Sequence, residues 1–135
     1  MGALVSNVDI AENIAVESTL LPNVRTSTTS GTTVDRLGYT RAAFVAHVGT
    51  ITDGTFAFDL EESDDGSSWS NIDSGDLSTS MANATSSADD RVLTASYLGS
   101  KRYLRCNLTV TGSPSTGGPI GVAVLLAGAR VSPTS

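Results

Sequence analysis

One histidine, one cysteine and one lysine are all that this 135-residue chain offers of three residue types on which side-chain chemistry often draws. A nucleophile needs a base beside it, and the only imidazole, His47, stands in the apolar run AAFVAHV with no Ser or Cys motif nearby. His47 is therefore expected to be a structural residue on a strand face, and no catalytic residue is expected anywhere. The lone thiol, Cys106, can form no internal disulfide. Its place among alternating apolar residues predicts a small buried hydrophobe. Zinc-type Cys/His spacing, a P-loop and a dinucleotide fingerprint are all missing, so the chain is expected to carry neither metal nor cofactor.

Charge is scarce as well. Charged residues make up 16% of the chain, against about 25% in a typical soluble domain. Net charge is −6, and the only dense basic group is Lys101, Arg102 and Arg105. Binding through a phosphate backbone needs clustered Lys and Arg, so no nucleic-acid partner is expected. The longest apolar run, Ile120 to Ala129, is glycine-interrupted and too short to span a bilayer. The N-terminus lacks a basic stretch followed by an apolar one, so neither secretion nor a membrane partner is expected, and synthesis in a reducing cytoplasm is. Without secretion, the glycosylation sequons at Asn83 and Asn107 carry no weight. Aromatics are only 5% of the chain, which makes Phe44, Phe56, Phe58 and Trp69 the expected anchors of a core.

What the chain does have is alternation. In TFAFDLEES, Phe56, Phe58 and Leu60 alternate with Ala57, Asp59 and Glu61, the period of a strand with one buried face. Asp64-Asp65-Gly66 then breaks the strand with a glycine suited to a positive φ, and Trp69 restarts an apolar pattern that continues at Ile72, which reads as a hairpin. Arg102 to Val110 alternates most cleanly, with Leu104, Cys106 and Leu108 on one side and Tyr103, Arg105 and Asn107 on the other. Ile120 to Arg130 is the last predicted strand, and Gly121, Ala123 and Ala127 give its second face small residues that let another surface come close. Ala42 to Val48 reads as a strand covered on both sides, and Asp53-Gly54 as a second hairpin turn. Residues 74–90 read as a long surface excursion. Pro22 is expected to stop whatever precedes it. The whole is an all-β chain of about seven to nine short strands, an antiparallel β-sandwich of jelly-roll type. An N-terminal arm or strand segment over 1–32 precedes a sandwich domain over 33–135.

Two polar groups invite a functional reading. The paired carboxylates Glu61-Glu62 and Asp64-Asp65 suggest acid–base work or, with Asp59, a calcium site. They flank a turn where Asp side chains cap their own backbone, and they lack the ligand spacing of a calcium loop. Asp64, Asp65 and Gly66 are accordingly read as a rigid turn. The run YLGSKRYLR places Tyr103 and Arg105 on one strand face, and Lys101, Arg102, Tyr103 and Arg105 form the candidate interface, since aromatic and Arg residues are enriched at interface hot spots. Cross-strand pairing with Asp59 or Glu61 is the competing reading, and both can hold together.

The segment VGTITDGTFAFDLEESDDGSSWSNI, followed by YLGSKRYLRCNLTVTG and a small-residue apolar strand ending in Arg and Pro, resembles small structural proteins of tailed bacteriophages. It is similar to head decoration (capsid cement) proteins, over about residues 38–133. The resemblance implies a non-enzymatic viral structural protein that sits on the outer capsid surface of the virion. Its implied partners are the major capsid protein and itself, as a homotrimer that stabilises the expanded shell by clamping adjacent capsid subunits. Binding to one state of the shell stabilises that state by mass action, and an acidic exterior suits a position away from packaged DNA. The competing expectations are another virion component (head–tail connector, tail or spike protein) and a carbohydrate-binding module using Trp69, Tyr39, Tyr97 or Tyr103.

Overall fold

At the Asp64–Gly66 turn the chain doubles back on itself, and the rest of the fold follows from that reversal. The computed structural model describes residues 9–129. Its strands are β1 (Ile14–Arg25), β2 (Val34–Asp35), β3 (Tyr39–Val48), β4 (Thr55–Ser63), β5 (Ser70–Asn71), β6 (Arg91–Tyr97), β7 (Tyr103–Thr111) and β8 (Gly118–Ala129). Two four-stranded sheets face each other, the first in the order β1-β8-β3-β6 and the second in the order β2-β7-β4-β5. All pairings are antiparallel. From the turn outward, β4 meets β5, β3 meets β6, β2 meets β7 and β1 meets β8. A doubled ribbon rolled into two sheets in this way is a jelly roll.

The predicted all-β sandwich is the observed one, and its core follows the alternation. Phe44, Phe56, Leu104, Leu108, Ile120 and Leu126 are fully buried, each on the inner face of its strand. Residues 74–90 form the connection from β5 to β6 and cap both sheets along one side. Ala84 bridges to Phe56 of β4, and Leu77 bridges to Tyr97 of β6. Met81 and Ala84 are thereby buried, so the excursion contributes to the core.

Four local expectations are corrected, and one pair of alternatives is decided in part. The chain continues through Pro22 as β1, because β1 is an edge strand whose register shifts between Leu20 and Asn23, a place where a missing N–H is tolerated. For the N-terminal segment, the strand alternative is the observed one over Ile14–Arg25; residues 1–8 of the expected arm lie outside the described residues. Asp53-Gly54 makes no hairpin, since β3 and β4 lie in different sheets. The outer side of β3 is not covered: Ala43 and Val45 are half-buried and His47 is exposed. Trp69 is outside the core. It stands three positions from Ile72, and an odd spacing in extended chain puts the two on opposite sides; Ile72 takes the core side, while the guanidinium of Arg105 lies 4.2 Å from the Trp69 ring centre.

Phe56→Ala is expected to cost about 3–5 kcal/mol of stability in urea unfolding. Trp69→Ala, which removes a ring packed on a cation near the surface, should cost about 1–2 kcal/mol. Equal losses would contradict the placement of Trp69.

Candidate functional site

The two outer faces of the sandwich differ in kind. On the second sheet, β4 and β7 pair Glu61 directly opposite Arg105. Arg105 Nε donates to Glu61 Oε1 at 2.7 Å, and Asn107 Nδ2 donates to the same oxygen at 3.0 Å. Arg105 thus lies between a carboxylate and the Trp69 ring. Thr109 Oγ1 donates to Asp59 one step further along. Arg102 forms a two-point contact with Asp35 at 2.9 and 2.8 Å and stands 4.9 Å from the centre of the Tyr103 ring. This hydrogen bonding holds the Asp35 carboxyl below its ordinary range, with some opposition from burial.

The turn and the basic strand prove to be one assembly. Lys101 Nζ donates to Asp64 Oδ2 at 2.7 Å, and Gly66 sits over the Tyr103 ring with a φ of +79°. Asp65 caps the turn, accepting the backbone N–H groups of Ser67 at 2.8 Å and Ser68 at 2.9 Å. Those bonds from Ser68 and Ser67, with a further one from the Ser63 hydroxyl, lower the Asp65 pKa. All four residues of the candidate interface, Lys101, Arg102, Tyr103 and Arg105, therefore lie on or beside the outer face of the second sheet. The three cations are spent on carboxylates of the same chain, as the cross-strand reading expected for Glu61.

Polar side chains whose partners no sequence pattern discloses tie the sheets together. The Tyr97 hydroxyl, from β6 in the first sheet, donates to Glu62 Oε1 of β4 in the second at 2.6 Å, and accepts the backbone N–H of Lys101 at 2.9 Å. Arg36, buried and 5.3 Å from the Tyr97 ring centre, donates to the carbonyls of Lys101, Tyr39 and Gly99. Thr19 is buried where β1 shifts register; its hydroxyl donates to the Thr32 carbonyl and accepts the Cys106 N–H. Asp53 accepts the backbone N–H groups of Gly117, Ser115 and Thr116, which hold its carboxyl below the ordinary range, those of Gly117 and Ser115 most. Its partners lie more than 60 residues away in sequence, so the local Asp53-Gly54 turn motif does not disclose them. Cys106 is fully buried. Burial first, and then the nearby Asp59 and Glu61 charges, push its thiol up to about 12, which leaves it unreactive.

The outer face of the first sheet is of the opposite kind. The register places Val16 and Ser18 of β1, Leu125, Ala123 and Gly121 of β8, Ala43, Val45 and His47 of β3, and Val92, Thr94 and Ser96 of β6 side by side. No Asp or Glu is among them, though Arg41, opposite Ala127, stands exposed on the same face. An open groove of about 520 Å³ runs across this face between Val16, Pro22, Val45 and Ala123. Gly121 is its floor. A side chain there would meet the Pro22 ring and Cα at 3.1 Å, which is why a glycine stands mid-strand. Among the described residues, no group of three or more His, Cys, Asp or Glu is placed to hold a metal ion, and no helix is long and apolar enough to cross a membrane.

Burial and the Glu62 hydrogen bond both hold the Tyr97 hydroxyl protonated and raise its pKa. An unfolded tyrosine ionises near pH 10. The unfolded chain therefore loses this proton while the fold keeps it. The stabilisation is fully present below about pH 10 and is lost as pH rises beyond it. Tyr97→Phe should cost about 1–3 kcal/mol at neutral pH by leaving buried Glu62 without its donor. It should also flatten the fall of the urea midpoint between about pH 9 and pH 11; an unchanged slope would contradict this role. Comparison of the chain with protein-family models, with curated proteins and with solved structures finds no match to any of them.

Proposed function

We propose that this chain is a non-enzymatic structural protein of a tailed-phage particle. It binds the outer surface of the capsid as a homotrimer and stabilises the expanded shell by clamping adjacent major capsid subunits. The observation that carries this reading is the contrast between the two faces. A chain of net charge −6 keeps the outer face of its first sheet largely small or apolar and free of carboxylate at the paired positions of β8, β3 and β6, with Arg41 and His47 as exposed exceptions. Exposed apolar surface of that extent marks a protein–protein contact, and extended chain with small side chains suits flat packing against a neighbour. The charged face supports the same reading, because its three cations, Lys101, Arg102 and Arg105, are each paired with a carboxylate of the same chain.

The carbohydrate-binding alternative draws on exposed aromatic rings, and those rings are engaged, Tyr39 being half-buried against the core. Trp69 carries Arg105 and Tyr103 carries Arg102, while Tyr97 is buried with its hydroxyl on Glu62. Repetition over a lattice multiplies a modest contact, so a small face suffices for a shell-binding protein where it would not for a soluble receptor.

The test is stoichiometry. Intact particles that carry this protein should contain hundreds of copies, comparable with the major capsid protein, by quantitative mass spectrometry. Recovery of about a dozen copies or fewer would sink the reading in favour of a connector or spike. The mass of the free protein in solution should approach three times 13.8 kDa.

A further inference from the structure

Asp53 and Asp65 are the two aspartates of the chain that precede a glycine, and no asparagine does. In an Asp-Gly step the glycine nitrogen can attack the aspartate carboxyl and close a five-membered imide, because no side chain hinders the approach. The two steps are guarded differently. At Asp65-Gly66 the guards lie within the turn itself. The carboxylate accepts the Ser67 and Ser68 N–H groups, and the Gly66 N–H donates to Ser63 Oγ at 2.9 Å. At Asp53-Gly54 the guard is a distant loop, residues 112–117 between β7 and β8. Its Gly117 N–H donates to Asp53 Oδ1 at 2.6 Å, and its Ser115 N–H donates to Oδ2 at 2.9 Å. Pro114 lies against Gly54, where a Cβ would meet the proline ring at 2.8 Å. The Gly54 N–H has no hydrogen-bond acceptor among the described residues.

We propose that Asp53-Gly54 is an isoaspartate-forming modification site that the β7–β8 loop holds closed. When the loop lifts, the Gly54 nitrogen attacks Asp53 Cγ. The C–O bond of the protonated carboxyl breaks, and its hydroxyl leaves as water with the amide proton. Water then opens the imide. Cleavage at Cγ restores aspartate, whereas cleavage at the main-chain carbonyl routes the chain through Cγ as isoaspartate. No other reactant enters. The docked loop opposes this chemistry by anchoring the carboxyl. Its amides, those of Gly117 and Ser115 most, also hold that group ionised below the ordinary range, and a carboxylate resists attack by a nitrogen. The loop is suited to open. Residues 111–116 are exposed apart from half-buried Pro114, and Ser113 is strained at a φ of +48°. Exposed connections of this kind open at far lower free energy than core strands. The product adds a carbon to the main chain just before β4 and displaces the carboxylate that the loop clasps, so the loop loses its hold. This chemistry is set by the fold alone and holds whatever the chain binds.

The test is peptide mapping of the full chain after long incubation at neutral pH, with electron-transfer fragmentation to tell isoaspartate from aspartate. In the native chain isoaspartate should build up at Asp53 and stay at background at Asp65. Pro114→Gly frees the loop and uncovers Gly54, and should speed conversion at Asp53 at least about fivefold while leaving Asp65 unchanged. In urea that unfolds the chain, where neither guard exists, the two steps should convert at similar rates. Should Pro114→Gly fail to fold, the wild-type chain in urea below its unfolding transition gives the second measurement. Conversion at Asp53 should then rise in proportion to hydrogen exchange at the Gly117 amide. Faster conversion at Asp65 in the native chain would overturn the proposal, as would a folded Pro114→Gly chain with the wild-type rate at Asp53. An equal rise at both steps would overturn it too, because global unfolding would be the gate. So would the native preference for Asp53 persisting in unfolding urea, because the difference would then belong to the sequence and not to the loop.

Discussion

One turn is the only place among the described residues where consecutive strands pair. Everything else in the jelly roll depends on partners far away in sequence, with β1 waiting for β8 and β2 for β7. Such pairing brings a large loop-closure cost before any contact rewards it, and folds of this kind assemble slowly, on about the millisecond-to-second scale. The Asp64–Gly66 turn is built to match that burden. Asp65 and Ser63 satisfy its backbone, Lys101 clasps Asp64, and the Gly66 backbone lies on Tyr103. The tip of the doubled chain is thus held by residues of β7 and the loop before it, which couples the local turn to the long-range sheet.

Crossing between sheets at nearly every connection leaves many loop carbonyls and amides to satisfy where the sandwich closes. Side chains do this work. Arg36 collects three carbonyls, Asp53 collects three amides, and Thr19 and Tyr97 each join one sheet to the other. Polar groups buried with all partners present specify one arrangement of a core, and a sandwich with few aromatics has particular need of that. The result is a body whose charges pair with each other on one face, while the other shows no carboxylate along its β8, β3 and β6 register.

Strand alternation made the sandwich and most of its core readable from residues such as Phe56, Leu60, Leu104 and Val122. Turn chemistry was less reliable, because it sets backbone angles without naming the strand that follows. Asp64-Asp65-Gly66 and Asp53-Gly54 look alike locally, yet one makes a hairpin and the other a crossover between sheets. Trp69 was misplaced because hydrophobicity was weighed before parity. Of the candidate residues, Arg105 and Glu61 were recognisable as opposite neighbours once β4 and β7 were aligned. Arg36 and Thr19 were not, nor was the Tyr97 partner of Glu62, since a buried polar residue is intelligible only through a partner that folding brings to it. The apolar outer face was half legible: the small residues of β8 were visible in the sequence, but the lack of a covering layer was not.

The pairing of β1 with β8 carries a last consequence. Ile14 stands opposite Ala127, so the chain enters and leaves the sandwich at neighbouring positions on adjacent strands, about 5 Å apart. A unit with its entrance and exit side by side can be spliced into a loop of a larger chain without stretching its host, or joined in tandem through short connections. The doubled ribbon that makes this sandwich slow to assemble also makes it portable.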